Sequence, residues 1–554
     1  LFCNACHELL STKKSILQNH CKSKKHAQGK EKLVKSKKRD ITITEALKTD
    51  NTSCRLQTST LPLEVRAFRV QVVEDFLKAG VPLYKIDKLR NLLERGGNRL
   101  TDSSHLRQHI PLILKQETER LKEEIATRDL GLIFDGSTRL GEAIVIIVRF
   151  VSDNWSIVQS LLRLDICAKS VNAQDLAHVL NDCLSVDYQV RGNSLLATMK
   201  DGASVNEAAL NHIKVVFPKM LSVVCFSHTL DNVGNHFKVP DLLSFGSLWI
   251  RLFKHSHRAK LIWQELTGRT PKSYSETRWW SKWEVFEQLL VQFGDVDQFL
   301  QEAEATKLAP QIVPQIRETL SDQESRINVQ LQLAAIVDVG HHFVTATYHL
   351  EGDGPLVFSC YDKLQAVAEA CRVPHFPNVR AVSTAIATED PTQNVATLEQ
   401  RARACVDPAI QWFLQKFNVQ LYDLVAAFKA ARIMCPVAVQ WMRPTAATVS
   451  ALRIFPFLNS DRIIDGLIAE LPNYVAAVQD VVVTTEEEKM KWWCQHVERL
   501  PCWSAAVKQV LLVQPSSAAA ERAFSLLSAA FRDQQVSVLA DYLQAGVMLQ
   551  YNKR

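Results

Sequence analysis

Two acidic residues in this chain of 554 stand where they could hold a hard metal ion. Asp135 closes the apolar run Gly131-Leu132-Ile133-Phe134 and is followed by Gly136-Ser137-Thr138. An apolar run bounded by turn residues predicts a buried strand, whose last residue faces a sheet edge where ligands are met. Asp201 closes a second run, Leu195 to Met199, within Lys200-Asp201-Gly202. Carboxylate oxygens suit Mg²⁺ or Mn²⁺, which prefer oxygen ligands and keep positions open for phosphate. The alternative for each is an aspartate that only bonds its own turn backbone. A different chemistry opens the chain, where Cys3 and Cys6 are followed by His20 and His26 in a C-x2-C-x13-H-x5-H spacing. Two thiolates on a tight turn and two imidazoles on and just past a helix suit a tetrahedral Zn²⁺, which supplies folding energy that so small a unit lacks.

The elements that must position the aspartates follow from periodicity. Glu142 to Phe150 reads as a second strand and Ser156 to Cys167 as a third. A helical pattern covers Ala173 to Leu184, ahead of the strand that delivers Asp201. Three hairpin-linked strands, a helix and a fourth strand match the opening of a ribonuclease-H-like fold, with the two aspartates side by side. Ser204-Val205-Asn206-Glu207 has the form of a capping box, so a helix begins just past Asp201. Leu221 to Phe226 is a fifth strand running into Ser227-His228. Cys225 and His228 alone do not make a zinc site, and His228 reads as structural or DNA-facing. From Ser275 to about Lys508 the periodicity is helical. Trp279 and Trp280 are core residues on base rates, although a tryptophan beside Arg278 could stack on an unpaired base.

Length alone suggests three or four units. The net charge of +6 is local: residues 1–40 hold eleven Lys/Arg against three acids, +8, leaving about −2 for the rest. Lys13, Lys14, Lys22, Lys24 and Lys25 flank the Cys/His motif, where DNA phosphates are the natural partner and a solvated tail or import signal the alternative. No signal-peptide pattern opens the chain, no apolar run nears the ~20 residues of a membrane span, and the thirteen cysteines are scattered without a disulfide-framework spacing, so a reducing compartment is expected. Because the first residue is Leu, a missing start is expected. Leu63 to Arg95 is amphipathic, with Val70, Val73, Phe76 and Leu77 on one stripe and a break at Ala79 to Leu83; a charged helix follows from about His105 to Thr127. Near the end, Ala520, Phe524, Leu527 and Phe531 form the apolar face of a helix, while Glu521 lies with Ser525 and Ser528 on a small polar face.

The Cys/His motif with Glu74-Asp75-Phe76-Leu77, Val81-Pro82-Leu83, Gly96-Gly97 and Leu106-Arg107 resembles the CGG-triplet-repeat-binding protein family over about residues 1–115. That resemblance implies a nuclear DNA-binding module. The segment Gln514-Pro515-Ser516-Ser517 to Ser525 and the stretch Asp541 to Tyr551, with Asp135, Asp201, Cys225-x-x-His228 and Thr277-Arg278-Trp279, resemble hAT-family DNA transposases over about residues 125–554. This second resemblance implies an acidic triad of Asp135, Asp201 and Glu521 for Mg²⁺ or Mn²⁺, a Trp279 that supports a flipped base, and a His228 near the catalytic pocket. Lys200-Asp201-Gly202 departs from the Thr-Asp-Asn common in that family.

The expected fold class is α/β: a ribonuclease-H-like core interrupted by a large all-α insertion, preceded by a small ββα zinc finger and a helical segment. The expected divisions are a two-Cys two-His, BED-like finger at 1–30, a basic linker at 31–62, a helical DNA-binding or dimer-contact segment at 63–125, the first part of the core at 126–242, the insertion at 243–505, and at 506–554 the rest of the core with the dimerisation region. The expected function is a hAT-like transposase, or a nuclear DNA-binding descendant, that cuts and transfers DNA strands. The alternative is a domesticated, inactive zinc-finger regulator. Expected partners are double-stranded DNA and a second copy, as a homodimer or higher oligomer, and no membrane.

Overall fold

The structure, a computed structural model, describes residues 2–3, 8–9, 20–24, 26–28, 62–137, 142–167, 171–273, 278–479, 481–483, 485–530 and 540–553. Two short strands, β1 (Phe2–Cys3) and β2 (Glu8–Leu9), pair antiparallel at the start. Helices α1 (Leu63–Lys78), α2 (Lys85–Leu93) and α3 (Ile110–Ile125) follow. The break between α1 and α2 turns at Gly80, whose φ of +64° is left-handed backbone that a residue with a Cβ resists. Val73 and Leu77 of the expected stripe are buried, and they share a small core with Ile86, Leu106 and Ile110. Ala545 and Leu549, from the far end of the chain, complete that core.

The central sheet has the order β5-β4-β3-β6-β7. Strands β3 (Leu130–Ser137), β4 (Glu142–Val151) and β5 (Ile157–Cys167) form an antiparallel meander. Helix α4 (Ala173–Asn181) then leads to β6 (Leu195–Lys200), and α5 (Ser204–Ile213) to β7 (Leu221–Val224). Both β6 and β7 run parallel to β3. The β-branched run Ile144 to Val148 is buried on both faces, as expected of a strand in the middle of a covered sheet. The helix after Asp201 forms where expected but without a capping box: Ala203 is its N-cap with no side-chain bond, and Glu207 instead meets Lys200 Nζ at 2.8 Å.

After the sheet come α6 (Phe226–Val233) and a region of helices from Pro240 to Val510, arranged around the 28-residue helix α7 (Gln323–Leu350). The chain then returns to the sheet. Leu512 passes so close to Gly131 that a Cβ there would lie 2.5 Å from the Leu512 carbonyl, so the glycine is a steric requirement of this crossing. Arg149, fully buried on β4, donates from Nε to the Leu511 carbonyl at 2.8 Å and from Nη2 to the Gly354 carbonyl at 2.9 Å. A buried guanidinium is costly unless its donors are used; here they tie together the sheet, the end of α7 and the returning chain. Helix α8 (Ala518–Ala530) packs on β3 and β4, and α9 (Ala540–Tyr551) packs on β5, α1, α3 and α8. Just past α9, the Asn552 side chain accepts from the Leu161 amide at 2.7 Å and donates to its carbonyl, capping the outer edge of β5. Among the described residues no single helix is long and apolar enough to cross a membrane.

Candidate functional site

The parallel register of β3 and β6 decides where the two aspartates go. Ile133 is paired with Met199, so Asp135 and Asp201, two residues further along each strand, lie beside one another at the same sheet edge. Asp135 is 7% exposed, and its Oδ1 accepts from the Gly136 amide at 2.8 Å. Burial, reinforced by the charge of Asp201 and opposed by His228, pushes its carboxyl up to about 6. Asp201 is only half-buried; its Oδ1 accepts from the Ala203 amide at 2.9 Å and from the Asn206 side chain. Lys200, its neighbour, alternates to the other face of the strand, where its ammonium is buried against Glu207.

A cavity of about 670 Å³ opens beside Asp135. Glu521, His228, Arg278, Ser525 and Ser528 line it with Asp135, so the small polar face expected of α8 is turned into it. Asp201 is not among its lining residues. The Arg278 guanidinium bridges two carboxylates, with Nη2 on Glu521 Oε2 and Nη1 on Glu351 Oε1. His228 Nε2 is 3.8 Å from the other Glu521 oxygen, and its Nδ1 is 3.4 Å from Ser517 Oγ. Cys225, the N-cap of α6, accepts from the His228 and Ser517 amides. That thiol and the carboxyls of Asp135 and Asp201 push the His228 imidazole up to about 9, and the Cys225 thiol is lowered despite full burial. These neighbours favour the imidazolium form of His228.

Trp279 is placed differently from Trp280. Its ring is 7% exposed and wedged against Gly234 and Phe237, so in this conformation it presents no free face to a base. Trp280 lines the cavity instead. The amides of both tryptophans donate to Asp231 Oδ1, at 2.7 and 3.3 Å.

Among the zinc-motif residues, His20 and His26 approach each other, with Nε2 of one 3.2 Å from Nδ1 of the other. Cys6 and the Cys3 side chain lie outside the described residues, as do Lys13, Lys14 and Lys25; Lys22 and Lys24 are exposed. Among the described residues no group of three or more His, Cys, Asp or Glu side chains is gathered closely enough to hold a metal ion.

Glu351, Asp231 and Ser517 had no assigned role in the sequence. Ser517 belongs to a stretch that carries the hAT resemblance and could have been weighed there; Asp231 lies three residues beyond the Cys225-x-x-His228 motif. Glu351 ends a long helix and meets Arg278 from 73 residues away, a contact that no local pattern signals.

No curated protein matches this chain. Residues 470–552 match the family model described as the hAT family C-terminal dimerisation region, and α8 and α9 fall within that match. The match likens the C-terminal part of this chain to that dimerisation region of the hAT family.

Proposed function

We propose that the chain is a hAT-like transposase whose sheet is a ribonuclease-H-like core and whose acidic triad, Asp135, Asp201 and Glu521, carries metal-dependent DNA strand cleavage and transfer. The observation that supports this most is the placement of Asp135 and Asp201 at one sheet edge, with Glu521 on the wall of the cavity that Asp135 lines. The donor set is chemically suited to Mg²⁺ or Mn²⁺, since all its atoms are carboxylate oxygens and the charge of Asp201 weighs on buried Asp135. At Glu521 the fit is incomplete, because Arg278 holds its carboxylate. When bound, such ions activate water or a DNA 3′-hydroxyl and stabilise the leaving oxygen.

The chain's own residues have separate tasks. Asp135 and Asp201 would hold the ions, and Glu521 would complete the set. Arg278 and the His228 imidazolium supply two cations to a cavity that must accept a phosphodiester, where charge-assisted hydrogen bonds are strongest. Ser517 and Cys225 hold His228 in position. The BED-like finger, through Cys3, Cys6, His20 and His26 with Zn²⁺, and Lys13, Lys14, Lys22, Lys24 and Lys25 would bind DNA phosphates, and the nucleus is the compartment where that partner is met. Trp279 would reach a flipped base only by leaving its slot.

A cleavage assay on a mixed DNA pool with Mg²⁺ or Mn²⁺, comparing the intact chain with Glu521→Gln, tests the reading. Cutting that vanishes in the variant is expected. Binding without cutting by both proteins would favour the second reading, a domesticated DNA-binding regulator, to which the arginine-held Glu521 and the Lys200-Asp201-Gly202 departure lend support. In that case DNA binding depends on Cys3 and His26 and is indifferent to the triad.

A further inference from the structure

Glu351 and Glu521 are two carboxylates held at fixed separation from opposite sides of one guanidinium. Glu351 caps the end of α7, and this end and the loop that follows are anchored to the returning chain and to β4. Ser516 Oγ donates to the Leu350 carbonyl at 2.6 Å, Arg149 to the Gly354 carbonyl, and Arg522 pairs with Asp353. Helix α8, which carries Glu521, starts two residues after Ser516. The posts are thus built into the same anchored assembly, while Arg278 reaches them from a separate turn ahead of Ser281. A planar guanidinium with two free edges suits this bridge as a lysine ammonium would not.

We infer that Arg278 occupies, in the DNA-free protein, the place beside Glu521 that a divalent cation takes, and that Glu351 is the residue that docks it there. This rests on the acidic-triad reading of the cavity. A phosphodiester entering the cavity competes with the two carboxylates for the guanidinium. As Arg278 moves to the phosphate, Glu521 is uncovered, so metal loading of the third acid follows DNA binding. The linkage is reciprocal: whatever removes Arg278 from Glu521 raises cation affinity, and a cation on Glu521 favours Arg278 on the phosphate. Glu351 is a positioning residue in this scheme and touches neither DNA nor metal.

The test is Mn²⁺ binding to the full-length protein without DNA, read by titration calorimetry and by the loss of free-ion paramagnetic resonance signal. Arg278→Gln is expected to bind Mn²⁺ about tenfold more tightly than the unchanged protein, a difference of ~1.4 kcal/mol. Arg278→Lys, which keeps the charge but cannot bridge, is expected to lie between them and serves if the Gln variant does not fold. In Arg278→Gln combined with Glu521→Gln the gain should vanish. Adding a short DNA duplex should raise Mn²⁺ affinity in the unchanged protein more than in Arg278→Gln. The inference is overturned if neither Arg278 variant gains affinity, if the gain survives loss of Glu521, or if DNA raises affinity equally with and without Arg278. Because the titration needs no turnover, absence of cleavage by the unchanged protein sinks the proposed activity while leaving this result to stand or fall by itself.

Discussion

The cavity has a sheet side and a helical side, and the two are held by different physics. On the sheet side, Asp135 is buried by strand pairing, and its position follows from register alone. On the helical side, Glu521, Arg278 and Glu351 are brought together from positions 351 to 521 and 278 by ion pairs at half-buried side chains. A strand end is fixed by a ladder of backbone bonds, so its acid cannot escape unfavourable burial and answers by a raised pKa. A side chain at the end of a helix can answer by finding a partner. Rigidity on one side and exchangeable pairing on the other suit a site in which one acid waits to be uncovered.

Asp135→Asn breaks the comparison hardest. Under the proposed function it lowers cleavage by on the order of a thousandfold or more, the scale expected when a group that acts on the reacting phosphate is lost. It should also stabilise the fold. A carboxyl whose folded value, about 6, lies above its ordinary 3.8 binds more protons folded than unfolded between those values. Its contribution to stability therefore falls as pH rises through that window and stays unfavourable above it, by about 3 kcal/mol. The Asn variant should show a higher melting temperature at pH 7.5 and little difference at pH 3.5. Glu521→Gln should lose cleavage as well but gain no stability, since it strips Arg278 of a partner. Equal stabilisation by both substitutions would mean that the two sides do not differ as described.

Next in size is Arg149→Met. It leaves the carbonyls of Leu511 and Gly354 without their buried donor and should cost about 3 kcal/mol in urea unfolding. His228 gives a pH signature of the same sense as Asp135 but in a higher window. Its folded value, about 9, exceeds the ordinary 6.5, so its stabilising contribution is complete below pH 6.5 and is lost as pH rises through 9. In Cys225→Ala that decline should shift to lower pH; an unchanged profile would remove Cys225 from the pair. The smallest effect is expected of Lys200→Met. It removes a pair whose glutamate is half exposed, so stability should change by about 1 kcal/mol or less. Cleavage should fall less than tenfold, because the ammonium is engaged by Glu207 and by the Asp201 carbonyl.

These differences also explain what the sequence could convey. The strands of the sheet, the break at Gly80 and the polar face of α8 were legible because each is written in local spacing: period two, a turn residue, period 3.6. So was the pairing of Asp135 with Asp201, which needs only the strand order. The capping box at Ser204 was misread because Glu207 had a stronger claimant, the buried Lys200 ammonium, and a buried charge takes precedence over an exposed cap. Trp279 had two readings from sequence, core residue or base support, and only packing against Gly234 distinguishes which conformation the chain adopts here. The Glu351 bridge was illegible, since an ion pair across 73 residues leaves no periodic trace.

The bond between Leu161 and Asn552 also bears on how the molecule is made. The outer edge of β5 emerges from the ribosome 391 residues before the side chain that covers it. At ordinary rates of synthesis that interval is about 20–80 s. Throughout it the meander can form but offers an unpaired strand edge, and Gly131 waits for the segment that crosses over it. A nascent chain that stalls or is truncated anywhere within the helical region would therefore carry an open, apolar sheet. Chaperone occupancy should be highest on such intermediates and should fall once α9 and Asn552 have docked against β5.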